Sequence, residues 1–306
     1  MSILITGAGT LAQELVRQLQ AENPLQRIII YSRSESRQHE MRKEFPEGGK
    51  AGLRYVIGDV RDRRRLKVAM STANTVIHTA ALKRIEVCQY NPQEAIATNV
   101  IGSMNVIEAA QATGHIAKVM VVSTDKAVEA ISCYGSTKAV MEQYAIAANA
   151  LSPVCRSSVV RYANVLGSTG SVLEIWEKQM AAGEVPTVTD PSMTRMWITK
   201  EKAAEFVLKS LKRMEGGEIF IPQCVCCSML KLLEMHCGKN SPYHIIGARS
   251  DEKLHETLVS AVESPRCYHQ EDGSYIIYPF QHDWRGEWKP TGKKVADGWR
   301  YTSTGD

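Results

Sequence analysis

The chain has 306 residues, 44% of them hydrophobic and 23% charged, with 37 Lys and Arg against 33 Asp and Glu for a net charge of +4. That balance excludes a disordered, collagen-like or coiled-coil chain, and the small positive excess argues for neither nucleic acid nor a membrane as partner. At about 150 residues per domain the length suggests two domains or one elaborated one, with enough interior to fold without a disulfide or metal staple.

The first apolar run, Ile3–Ile5, reads as a strand and leads directly into Gly7-Ala8-Gly9-Thr10-Leu11-Ala12. A helix follows, with Leu11, Leu15 and Leu19 recurring every fourth residue on one face. A G-x-G-x-x-A turn between strand and helix lets backbone approach a pyrophosphate, which the helix N-terminus then attracts. The second strand, Arg27–Tyr31, ends in Ser32-Arg33. No carboxylate stands there to bind an adenosine ribose, although Glu35 follows two residues on. Arg33 offers a fork for a 2′-phosphate, so the expected cofactor is NADP in preference to NAD. Further strands are expected at Leu53–Ile57, Thr75–His78, Val119–Val122, Ser158–Tyr162 and Glu218–Ile221, with helical periodicity between most of them. Several are apolar without alternation, as in parallel strands covered on both faces. The basic run Arg61–Arg65 reads as a solvated helix face.

The Val119–Val122 strand opens into Ser123-Thr124-Asp125-Lys126, and Tyr134-Gly-Ser-Thr-Lys138 follows. On a helix Tyr134 and Lys138 lie one turn apart on one face, and a nearby ammonium favours the phenolate. Thr124, Asn99 and the phosphate loop give this short motif its specificity. After residue 165 the rhythm breaks, with a loop signal at 167–170 and a turn-rich stretch at 183–191. The expected organisation is α/β, a doubly wound Rossmann-like parallel sheet over 1–165. Residues 197–221 return to it, and 166–196 with 222–306 form a smaller substrate-binding region. Cys224, Cys226, Cys227, His236 and Cys237 match no zinc spacing and read as packed thiols, with no metal expected. The start lacks a signal-peptide pattern and no stretch reaches 18 apolar residues, so the expectation is a cytoplasmic protein with reduced cysteines.

In order from residue 27 to 256, the strings IIIYSRSESRQHEM, YVIGDVRDRRRL, VIHTAALKRIEVCQYNPQEAIATNVIGSMNVI, STDKA, YGSTK, VVRYANVLGSTGSV, MTRMWI, GGEIFIP and HIIGARSDEKLHE resemble the extended short-chain dehydrogenase/reductases. Within them they resemble the inverting UDP-N-acetylglucosamine 4,6-dehydratases of surface-sugar biosynthesis. The resemblance implies a UDP-sugar substrate and a cofactor cleft lined by Gly7, Gly9, Thr10, Leu11, Ser32, Arg33, Asp59, Val60, Ala80, Ala81, Lys83, Asn99, Tyr134 and Lys138. Tyr134 with Lys138 would be the oxidation base and Thr124 would hold the C4 hydroxyl. Asp125 and Lys126 would be the elimination acid and base, which requires a protonated carboxyl and a neutral amine in a dry site. Relatives that retain C5 configuration carry Glu after the Asp, so Lys126 implies inversion. Asn164 would contact the nucleotide-sugar, Arg195 and Arg249 the diphosphate, Glu252 the uridine ribose, and Lys83 the substrate as well.

Four places depart from the family pattern: the phosphate loop is one residue shorter, and Glu129–Ser132, Lys83-Arg84 and Asp251-Glu252-Lys253 replace the usual strings. An epimerase would need only Tyr134, Lys138 and cofactor, and a module without catalysis only the fold; both stay open at this level. A homo-oligomer is expected through the helices at 93–112 and 134–150, whose apolar residues include Ile101, Val106, Ile107, Val140 and Met141.

Overall fold

The computed structural model describes residues 2–48, 52–168, 170–280, 284 and 288–305. Its first half alternates strand and helix: β1 Ser2–Thr6, α1 Thr10–Glu22, β2 Arg27–Ser32, α2 Glu35–Glu44, β3 Arg54–Ile57, α3 Arg63–Ala69 and β4 Thr75–His78. Next come α4 Ile85–Tyr90, α5 Pro92–Ala95, a π-helical stretch at Ile96–Ile101, α6 Gly102–Thr113, β5 Lys118–Thr124, α7 Cys133–Ala147 and β6 Arg156–Tyr162. All five residues of β1 and all four of β4 are buried, because helices cover both faces of the sheet. Seven expected strands appear within a residue or two of their expected ends.

The chain continues through β7 Asn164–Val165, α8 Val172–Ala181, β8 Thr187–Val188, β9 Thr194–Ile198, α9 Lys200–Arg213 and β10 Ile219–Ile221. Then follow β11 Val225–Ser228, α10 Met229–Cys237, β12 His244–Ile245, β13 Thr257–Val259, β14 Cys267–His269, β15 Tyr275–Ile277, β16 Lys293–Lys294 and β17 Tyr301–Thr302. The main sheet runs β16-β14-β15-β10-β6-β5-β4-β1-β2-β3. Its seven strands from β10 to β3 are parallel, while β14, β15 and β16 add antiparallel. The strand order reverses between β1 and β4, the position where such sheets open a ligand crevice. α9 packs on the sheet and β10 pairs with β6 within it. The region after 222 is not separate from it, however, since β14–β16 extend its edge.

Two hydrophobic layers sandwich the sheet. Leu15, Leu19, Val207, Leu208 and Leu211 of α1 and α9 pack on one face, and Leu66, Val106, Ile107, Met141 and Ala145 of α3, α6 and α7 on the other. This corrects one expectation: Val106, Ile107 and Met141 serve the core, because their helices lie flat on the sheet. Of the apolar positions cited for oligomerisation, Ile101 and Val140 are exposed. A buried ion cluster ties the C-terminal region down. Arg161 of β6 pairs with Glu142 of α7 at 2.6 Å and with Glu263 at 2.8 Å, and donates to the Leu258 carbonyl of β13 at 2.8 Å. No helix among the described residues is long and apolar enough to cross a membrane.

Candidate active site

The loop after β1 turns because Gly7 adopts φ +92°, where a Cβ would stand 2.8 Å from Thr79 Oγ1. Its N–H donates to the Tyr31 carbonyl at 2.8 Å, locking the turn to β2. Gly9 caps α1 with no side-chain cap and no acid in the first turn, so first-turn N–H groups remain for an anion. A Cβ on Gly9 would meet nothing within 4 Å. That open side belongs to a cavity of ≈ 210 Å³ lined by Gly9, Thr10, Gln13, Arg37, Lys83 and neighbours. Two cations and a helix N-terminus around this space fit a dinucleotide phosphate group, and Ala12, fully buried, tolerates the shortened loop.

The other expected cofactor residues do not line this cavity. Arg33 is exposed and lies 3.7 Å from Asp59, whose carboxylate also holds Arg61. The Ser32 hydroxyl accepts from Gln38, and Val60 and Leu11 pack in the core layers. Ala80 N–H donates to Thr6 Oγ1 at 3.3 Å, and Ala81 follows in the same loop. Asn99 sits in the π-helical stretch, a wide turn that recurs at functional sites. Its amide brackets Leu82, accepting from the N–H at 2.8 Å and donating to the carbonyl at 2.9 Å, and also donates to Thr137. Asn99 thus shapes the 80–83 loop through its backbone.

β5 ends at Thr124, and a short turn over Asp125–Ala127 follows. The Thr124 hydroxyl donates to Asp125 Oδ1 at 2.8 Å, and Lys126 Nζ donates to the same oxygen at 3.1 Å. Asp125 is fully buried, and its Oδ2 has no hydrogen-bond partner among the described residues. Lys126 Nζ also reaches Asn164 Oδ1 at 3.4 Å and Glu256 Oε1 at 3.3 Å. Burial opposes the charge on Lys126, yet Asp125 and then Glu256 outweigh it and hold the ammonium above its ordinary pKa. The neutral amine expected for a base is therefore not the resting state. Burial is also the main reason that the Glu256 carboxyl stands above the usual range, with Lys126 opposing the rise.

Ser132 caps α7 by accepting from the Gly135 N–H at 3.1 Å, which sets Tyr134 in the first turn. Burial pushes the Tyr134 phenol up to about 12, and Lys126 is the first cation opposing that rise. Lys138 is also buried, its pKa lowered to about 8 by desolvation. It donates to the Val122 carbonyl at 2.6 Å. The ammonium that acts on the phenol is thus Lys126 rather than Lys138.

Three residues expected to hold substrate gather beside this centre. Arg195 is nearly buried, bonded to the carbonyls of Thr194 and Leu254 and to Glu252 Oε1 at 3.1 Å. The exposed Arg249 stands 3.9 Å from Glu252 Oε2. Arg195 and Glu252 are therefore partners, one bracing the other. Sequence reasoning missed Arg37 and Glu256. Arg37 lies four residues after Arg33, in the first turn of α2, and no motif marked it. Glu256 ends the quoted string DEKLHE but carried no motif of its own. Among the described residues no three His, Cys, Asp or Glu groups come together as metal donors. Cys224, Cys226 and Cys227 instead point their thiols at the carbonyls of Pro222, Thr302 and Ser228.

Residues 3–278 match the family described as polysaccharide biosynthesis protein. The chain is 41% identical to a UDP-N-acetylglucosamine 4,6-dehydratase (inverting) of Campylobacter jejuni subsp. jejuni serotype O:23/36, over 99% of this chain and 92% of that protein. It is 36% identical to a UDP-glucose 4-epimerase of Rickettsia canadensis, over 84% of this chain and 75% of that one. Among solved structures, Pen from Bacillus thuringiensis superimposes with a TM-score of 0.87 at 30% identity, covering 100% of this chain and 92% of that one.

Proposed function

The chain belongs to the polysaccharide biosynthesis protein family of extended short-chain dehydrogenases/reductases, and from that premise we propose that it is a C5-inverting UDP-N-acetylglucosamine 4,6-dehydratase. The observation that carries the reading is the group of buried Thr124, Asp125 and Tyr134 with half-buried Lys126 and Asn164 beside them. An epimerase needs no acid and base for water elimination. The Rickettsia canadensis relative keeps that second reading in view, and the product separates the two.

A nicotinamide cofactor, held at Gly7, Gly9, Arg37 and Lys83, would supply reversible hydride acceptance for oxidation at the sugar C4 and reduction at C6. The chain's own groups move the protons. Tyr134 takes the proton of the C4 hydroxyl while Thr124 holds that oxygen. The C4 ketone acidifies C5–H, Lys126 takes that proton, and protonated Asp125 gives one to the departing C6 hydroxyl. Tyr134 then returns its proton to C5 on the face opposite Lys126, which inverts the centre. Each transfer is ordinary general acid–base chemistry, worth about 10²–10⁴-fold.

NADP is the proposed cofactor, supported by Arg33 and Arg37 near the cavity and by the absence of an acid at the end of β2. The segments 166–196 and 222–306 would carry the UDP-sugar, held by Arg195, Arg249, Glu252, Asn164 and Lys83. Exposed Ile101 and Val140, with Ile96 nearby, support a homo-oligomer, and eight unpaired thiols suit the cytoplasm. The direct test is incubation with UDP-N-acetylglucosamine and NMR of the product. UDP-2-acetamido-2,6-dideoxy-β-L-arabino-hexos-4-ulose is expected; a C4 epimer or unchanged substrate would refute the reading.

A further inference from the structure

The resting site presents a chemical problem. Lys126 must be a neutral amine to take the C5 proton, and its surroundings hold it as an ammonium. Two carboxylates stand within reach of Nζ, Asp125 at 3.1 Å and Glu256 at 3.3 Å. Asp125 must start with its own proton to act as the elimination acid, so it cannot also take the one from Lys126; its Oδ1 accepts from Thr124 and from Lys126, and its Oδ2 has no hydrogen-bond partner among the described residues. Glu256 is differently placed. Its side chain is 3% exposed, and Oε2 has no hydrogen-bond partner among the described residues. Lys253 Nζ stands 3.9 Å from that oxygen and donates to the Val128 carbonyl. Glu256 lines a narrow cleft with Lys126, Lys253, Ser132 and Asp251, whereas Asp125 does not. Its backbone N–H is pinned by Ser303 Oγ at 2.9 Å, and the next strand is tied to Arg161.

We propose that Glu256 completes a proton relay, Glu256–Lys126–Asp125, in which the Glu256 carboxylate takes the proton that Lys126 must lose before acting as base. This rests on the dehydratase reading and deepens it. In the first step an N–H bond of Lys126 breaks and an O–H bond forms on Glu256, leaving an amine beside a carboxylic acid. Lys126 then takes the C5 proton and Asp125 gives its proton to the C6 hydroxyl, which leaves as water. To reset, Lys126 passes a proton to Asp125 and Glu256 returns one to Lys126. The site ends with the protons it began with, and no outside reactant is needed. Exchanging a charged pair for a neutral pair suits a cleft dried by bound substrate, where isolated charge is costly. Other charges facing these groups modulate the exchange. Asp125 discourages a negative Glu256, while Arg195 and Lys253 favour one, and Arg195 disfavours the Lys126 ammonium. Because Glu256 acts through Lys126, it is a positioning residue for the reaction.

The test compares the wild-type holoenzyme with Glu256→Gln, which keeps the shape and cannot take the proton, and with Glu256→Asp, which keeps the carboxylate. For Gln, kcat on UDP-N-acetylglucosamine should fall about 10²-fold near pH 7. Its rate should rise with pH where wild type is flat, because Lys126 must then shed its proton to solvent. KM should stay within about threefold, C4 oxidation should persist, and Asp should recover the flat profile at reduced rate. A Gln variant with the wild-type profile, or one losing C4 oxidation and dehydration together, would overturn the relay. A second readout needs no turnover: an infrared carbonyl band of a protonated carboxyl that grows in as pH is lowered in wild type and is missing from Glu256→Gln. Its midpoint should lie above the ordinary glutamate value of about 4.3. A midpoint at or below that value overturns the relay even if the wild type dehydrates, and a wild type that does not dehydrate refutes the parent reading while leaving this measurement decisive.

Discussion

A Cβ placed on Gly135 would stand 2.2 Å from the carbonyl oxygen of Lys126. The first turn of α7, which carries Tyr134, is thus pressed directly onto the backbone of the turn after β5, which carries Lys126. Only a residue without Cβ permits it. Gly135→Ala should force the two segments apart, costing about 1–3 kcal/mol of stability. Turnover should fall further than stability, because both proton-moving groups shift. Urea unfolding with parallel activity measurements checks this; an active, fully stable Ala variant would show that the approach is not required.

Lys126→Ala removes the proposed elimination base. Dehydration should drop by about 10²-fold or more. C4 oxidation should persist, seen as nicotinamide absorbance. For the wild type in deuterium oxide, deuterium should appear at C5 of the product and none at C6. Retained configuration at C5, or full dehydration by Lys126→Ala, would remove Lys126 from the base role.

Arg33 and Arg37 stand near the cavity at the end of β2 and the start of α2, Arg37 on its wall. A charge-assisted hydrogen bond to a 2′-phosphate contributes about 1.5–3 kcal/mol. Replacing either arginine by Ala should therefore weaken NADP about tenfold or more and leave NAD nearly unchanged. Calorimetric titration of both dinucleotides decides the point, and equal weakening of the two would favour NAD.

His78 gives a pH prediction for stability. It is fully buried between Thr6 Oγ1 at 2.7 Å and Ser103 Oγ at 2.9 Å. Burial first, and Lys138 second, lower its pKa from 6.5 to about 3. Between those values the unfolded chain binds a proton that the folded protein does not, so stability is full above pH 6.5 and falls as pH drops towards 3. The loss should reach about 2 kcal/mol at pH 5. His78→Gln, which cannot protonate, should flatten that part of the melting-temperature profile. An unchanged slope would assign the acid sensitivity elsewhere.

The parallel strands and the loop chemistry were legible along the chain because their signals are local. Unbroken apolar runs such as Ile28–Ile30 mark strands with two covered faces, and Gly7 and Gly9 mark a backbone close to a phosphate. Tyr134 and Lys138 were legible as a helical pair, yet their partners were not. Lys138 turned to the Val122 carbonyl, and Lys126 became the cation facing the phenol. The strands Cys267–His269, Tyr275–Ile277 and Lys293–Lys294 are too short to carry a period, so their place at the sheet edge depends on pairing.

Amino-acid order alone was sufficient for the α/β fold, the phosphate loop and the Thr124-Asp125-Lys126 string, since each depends on residues a few positions apart. Tertiary structure decided the charge state of that string. Glu256 lies far along the chain from Lys126, and the Arg161 ion cluster and the Ser303 bond hold its segment in place. Only there does a second carboxylate join Asp125 in outweighing the desolvation of Lys126. Coulomb energy depends on distance through space and on the local dielectric, and neither quantity is written in the order of residues.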